Sequence, residues 1–95
     1  MEVRLAATRW ARARGLLARR EATPLLLAPA RSVHTCGMRF PIDVVFLDDE
    51  LRVLKVVRSM RPWRVASARG ARAVLELAGG GAAGVEPGAR LELRL

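Results

Sequence analysis

The stretch IDVVFL-DDE-LRVLKVV, residues 42–57, constrains the fold more than any other part of the chain. Two runs rich in β-branched residues flank a short acidic break. That is the pattern of a β-hairpin with a polar loop of about three residues. Side chains alternate across a strand. Ile42, Val44 and Phe46 therefore share one face of the first strand, and Asp43, Val45 and Leu47 share the other. A carboxylate on an apolar face needs partners, because burying an unpaired charge is costly. The donors nearest in sequence are His34, Thr35, Arg39 and the backbone of the Cys36–Phe40 turn. Asp43 is thus expected to pin residues 35–39 through backbone N–H bonds, or to face a ligand at the mouth of a barrel.

The rest of the chain supplies short strands and breaks. VRLA at 3–6 reads as a first strand. Thr8 is a plausible N-cap for a short helix, with Trp10, Ala13 and Leu17 on one stripe and Gly15 able to close it. TPLLLAP at 23–29 is bracketed by prolines and reads as a short buried strand. RSVHT is β-prone, MRPWR is an irregular connection, and RAVLEL is a further strand. AGGGAAG is a loop and EPGA a turn, and RLELRL alternates as a closing strand with one wet face. The count is about six or seven short strands with one short N-terminal helix. No helix–strand alternation suggests a parallel α/β sheet. A mainly β fold is expected, a small antiparallel β-sandwich or barrel, as a single domain over residues 1–95.

Hydrophobic residues make up 52% of the chain, too many for a disordered protein. No apolar run approaches the ~18 residues of a membrane span. The N-terminus, MEVRLAATRW, lacks a basic-then-apolar leader pattern, so a cytoplasmic protein is expected. A single cysteine allows no internal disulfide. The net charge of +8 raises nucleic-acid binding as an alternative. It is not favoured from sequence, because 16 of the 17 basic residues are arginine and they are spread along the chain.

The local motifs give a candidate contact region and no catalytic set. GGGAAG at 79–84 has the letters of a dinucleotide loop, but Pro87 and Gly88 follow where a helix is required, and no distal acid follows. His34 and Cys36 share a strand face, and a neighbouring imidazole can activate a thiol. Working dyads usually come from separate elements, and no further His or Cys completes a zinc set. No metal or cofactor is assigned. Trp63, between arginines, can stack on a ligand or fold back as a lid. The candidate ligand-binding residues are His34, Thr35, Arg39, Asp43 and Trp63. The expected function is a non-enzymatic binding or accessory module for a small ligand or protein, with a shallow cleft around residues 34–43 and Trp63. A second alternative is a small enzyme using Cys36 or Asp43.

VHTCGMRFPIDVVFLDD, followed by RAVLEL and a glycine turn, resembles the domain of unknown function 192 family, small β-rich bacterial and archaeal domains. RARGLLAR resembles that family's N-terminal E-R-x-x-G-L-M-x-R segment, and Pro41 and Asp43 match its P-hydrophobic-D-hydrophobic pattern. AVLEL and GVEPG resemble its C-terminal strand and final turn. The chain departs from the family at His34 and Thr35, where an aromatic and methionine are frequent, and at Cys36 and Gly37, where Lys-Asn is common. Leu51 stands where a glycine often ends the hairpin loop, and a left-handed residue there would cost of order 1 kcal/mol or more. Ala89 replaces a frequent Asp. The resemblance implies a compact β-sandwich or barrel with a small cleft, and no established reaction.

Overall fold

The computed structural model describes residues 1–6 and 24–94. The short helix expected from Thr8 to Gly15, with Trp10, lies outside the described residues. The described chain forms strands β1 (Arg4–Ala6), β2 (Leu25–Leu27), β3 (Ser32–His34), β4 (Ile42–Leu47), β5 (Val53–Met60), β6 (Val65–Ser67) and β7 (Ala73–Ala78). They make a five-stranded sheet in the order β1-β2-β7-β4-β5 and a two-stranded ribbon of β3 and β6. Pairing is antiparallel except between β1 and β2.

The hairpin expected at 42–57 is the β4–β5 pair. Both faces of the large sheet are covered, and that is why β4 is buried at every position. One face carries Ile42, Val44, Phe46, Val74, Leu25 and Leu27, and the β3–β6 ribbon packs Val33 and Ala66 onto it. The other carries Val45, Leu47, Val53, Leu75 and Leu77, covered by Ala82, Val85, Leu91 and Leu93 from the C-terminal loops. Such two-sided burial produces near-continuous apolar runs rather than clean alternation.

Two expectations need correction. The sheet is not closed into a barrel. RLELRL is not a closing strand either: among the described residues it makes isolated bridges only, Arg90 to Arg52 and Arg94 to Glu2. The bridges lie on opposite edges of the sheet. Leu91 N–H donates to the Leu51 carbonyl beside β5, and Val3 N–H donates to the Arg94 carbonyl beside β1. One segment thus covers parts of two edges and cannot stay in register with either for long. β6 was not anticipated, because VAS is too short and too polar to stand out beside MRPWR.

Candidate functional site

Asp43 is 2% exposed and stands on the face expected for it, opposite Leu77 of β7. Its partners are not in the 35–39 turn. On the other side of β4 the register passes from Val44↔Val57 to Ile42↔Met60, so Asp43 faces a bulge at Arg58 and Ser59. A bulge leaves a backbone group out of the ladder. Here Ser59 takes a left-handed φ of 51°, and its N–H donates to Asp43 Oδ1 at 2.9 Å. Oδ2 accepts the N–H groups of Gly80 at 3.2 Å and Ala82 at 2.9 Å. The carboxylate therefore holds three backbone donors from two segments. Charge-assisted bonds of this kind are the strong ones.

The glycine loop is shaped around that anion. Gly81 N–H donates to the Ala78 carbonyl at 2.8 Å and Ala83 N–H to Gly80 at 3.1 Å, a tight succession of turns. Gly80 has φ 89°, and a Cβ on Gly81 would lie 2.8 Å from Leu77 Cβ. The run of glycines thus serves close approach to the β7 exit.

Thr35 is the second buried polar anchor, fully enclosed. Its hydroxyl donates to the Arg61 carbonyl at 2.6 Å and accepts the Arg64 N–H at 2.9 Å. Its own N–H donates to the Arg64 carbonyl at 2.9 Å, and its carbonyl accepts both Trp63 N–H and Met38 N–H at 3.1 Å. One residue thus clamps the Arg61–Arg64 loop to the turn before Arg39. Inside that clamp Trp63 has φ 63°, left-handed for a non-glycine residue, and is 68% exposed. Trp63 is not a lid over the core. The Arg64 guanidinium donates to the Trp63 carbonyl at 3.3 Å.

His34 is half-buried and pairs with Val65, which is 74% exposed. His34 Nδ1 accepts the N–H of Cys36 at 3.3 Å, and the Cys36 thiol is exposed. Arg39 is exposed next to the buried Met38. The structure thus joins Thr35 to Trp63 directly, sets His34 and Arg39 beside them, and turns Asp43 toward the glycine loop instead. Among the described residues, no group of three His, Cys, Asp or Glu side chains could hold a metal.

Glu76 escaped the sequence reading. It is fully buried in β7, between Val44 of β4 and Leu25 of β2, on the sheet face opposite Asp43. The alternation that singled out Asp43 would have found it, because Glu76 shares a face with Val74 and Ala78.

Two recesses among the described residues lie elsewhere. A recess of about 610 Å³ runs between the β4–β5 turn and the C-terminal segment, lined by Asp49, Glu50, Leu51 and residues 90–94. Another of about 300 Å³ is lined by Pro29, Ala30, Arg31, Ala71 and Arg72. Neither includes Trp63 or a residue of the 34–43 segment.

The fold and its buried anchors can be set beside known proteins. The family model for DUF192, described as an uncharacterized ACR, matches residues 1–93. The chain belongs to the DUF192 family. No curated protein matches. A crystal structure of a protein of unknown function from Novosphingobium aromaticivorans DSM 12444 superposes with a TM-score of 0.77 at 28% identity, covering 95% of this chain and 73% of that one. A protein from Sinorhizobium meliloti 1021, described as a "putative transcription regulator", gives 0.78 at 25% identity, covering 95% of this chain and 79% of that one. Among the described residues, no helix of this DUF192 chain is long and apolar enough to cross a membrane.

Proposed function

We propose that this DUF192 protein is a non-enzymatic binding module whose contact surface is Trp63 with His34 and Arg39, held in place by the buried Thr35. The observation that carries the reading is Trp63 itself. A large ring stands 68% exposed on a backbone held in a sparsely populated conformation by Thr35. Backbone strain persists only where surroundings over-determine it, and it gathers at functional positions. A ring presented this way loses little freedom on contact, which favours binding. The contact surface is shallow rather than a pocket.

Asp43 belongs to this reading as a builder. Its three amide partners fix the bulge that leads into the Arg61–Arg64 loop. With both oxygens so engaged it is poorly placed for acid–base work. The Nδ1 atom of His34 is engaged by the Cys36 amide, which argues against a thiol–imidazole dyad. A role through contact is compatible with the transcription-regulator description of the Sinorhizobium relative.

The test is amide and indole chemical-shift mapping while oligonucleotides, acidic peptides and small aromatic anions are added in turn. Shifts centred on Thr35, Arg61, Arg64 and the Trp63 indole N–H are expected for at least one class. Shifts centred on the recess at Asp49–Leu51 and Arg90–Arg94 would defeat the reading.

A further inference from the structure

We propose that the Trp63 end of the molecule binds single-stranded nucleic acid, with the indole stacking on an unpaired base and Arg61, Arg64 and Arg39 contacting phosphates. The inference rests on the binding reading above and names its partner.

Charge placement is the independent observation. The loops at this end, residues 35–41, 61–64 and 79–84, carry Arg39, Arg61 and Arg64 and no acid. Asp48, Asp49 and Glu50 sit at the opposite end of the hairpin, beyond the start of the eight-residue β5. At about 3.3 Å per residue that is roughly 25 Å away. Glu86 is paired with Arg58, Asp43 and Glu76 are buried, and Glu2 and Glu92 lie along the β1 edge with the C-terminal segment. Among the described residues these three loops are basic and carry no carboxylate, and such a surface gathers phosphate.

The ring geometry favours bases over an acidic peptide. A peptide-binding site takes an anchor into a pocket, whereas Trp63 itself stands out, 68% exposed. A protruding indole offers two π-faces instead, with exposed Val65 two residues on. Every base has a π-face, so such a platform tolerates any sequence. Arg64 is tied to the Trp63 carbonyl and is exposed, so its remaining N–H groups can meet phosphate. Bases inside a duplex are stacked already, and single strands fit better.

The experiment measures anisotropy of a labelled oligothymidylate of about twelve nucleotides, with a duplex of equal length and a polyglutamate peptide as comparisons. Binding to the single strand is expected, with a log–log salt slope of about −2. Trp63→Ala should weaken it about ten-fold or more, with Trp63→Phe in between. Arg61→Gln with Arg64→Gln should weaken it and flatten the salt slope by about 1. Arg52→Gln with Arg90→Gln, bridged beside the β4–β5 turn, should change little. Thermal melts of all variants check that the fold is kept. An unchanged Trp63→Ala affinity, or equal losses from the two arginine pairs, overturns the proposal. Trp63-dependent binding of polyglutamate at least as tight as the oligonucleotide overturns the nucleic-acid assignment and leaves the binding surface standing. No binding of the oligonucleotide, with shifts mapping to the recess, removes both.

Discussion

Asp43 behaves as an anion held by amides. Replacing it with Ala strands three N–H groups at a nearly closed site. The expected loss is about 3–5 kcal/mol in urea unfolding. Asp43→Asn keeps the shape but turns an NH₂ toward amide donors, and should lose somewhat less, about 2–4 kcal/mol. An Asn variant as stable as the parent would show that the carboxylate charge is not what these amides answer. Leu51 poses the opposite problem. It occupies φ 63° at the hairpin turn, where the family often has glycine, and the strain expected from sequence falls at this position. Its side chain also packs on the core, so truncation alone confuses two effects. Comparing Leu51→Ala with Leu51→Gly removes the packing from both. The glycine variant should be the more stable of the two by about 1 kcal/mol. Equal stabilities would mean the turn relaxes without cost.

At the scale of elements, turns are secured by side chains reaching back to the backbone. Asp48 Oδ1 accepts the N–H groups of Glu50 at 2.8 Å and Arg52 at 2.9 Å, closing the β4–β5 turn. The Arg52 amide bond is the main cause that holds the Asp48 carboxyl below its ordinary range; the Glu50 amide and the charges of Arg52 and Arg90 add to it, while burial opposes it. A carboxyl with a lowered folded pKa contributes stability above its unfolded value, and loses it as pH falls through the folded one. The turn should therefore loosen only below the ordinary carboxylate range. The Glu50 and Arg52 amide shifts are expected to move together there, and movement at higher pH would contradict the assignment. The same logic applies to Thr35→Val, which keeps the shape and removes the hydroxyl. A loss of about 1–3 kcal/mol is expected, with a broadened or shifted Trp63 indole signal. The elements that could be read from sequence were those with strong periodicity: β4 at 42–47 and β7 near 72–77. β6 could not, since three residues of mixed polarity carry no period. The Asp43 partners could not either, since a bulge and a loop some 40 positions on are brought together only by the β4–β7 pairing.

At the scale of the molecule, alternation identified the two faces of the sheet correctly, but edge coverage is a property of the assembled sheet. RLELRL alternates as a strand should, yet its partners are two edges rather than one. Leu91 and Leu93 pack on the apolar face between those edges, while Val53 N–H donates to Ala89 and Arg94 N–H donates to Met1. The segment therefore does two physical jobs: it keeps water from Val45, Leu75 and Leu77, and it occupies backbone groups at both edges. Unoccupied strand edges are templates for pairing with another chain. A protein ending at Gly88 should accordingly lose about 2–4 kcal/mol of stability from exposed apolar area. It should also self-associate in light scattering as concentration rises. The double variant Leu91→Ala with Leu93→Ala separates the two jobs, because it removes the cover and keeps the backbone bonds. It should lose about 1–3 kcal/mol and remain monomeric. Self-association of the double variant to the same extent as the truncated chain would mean that the exposed apolar face, and not the freed edges, drives the contact.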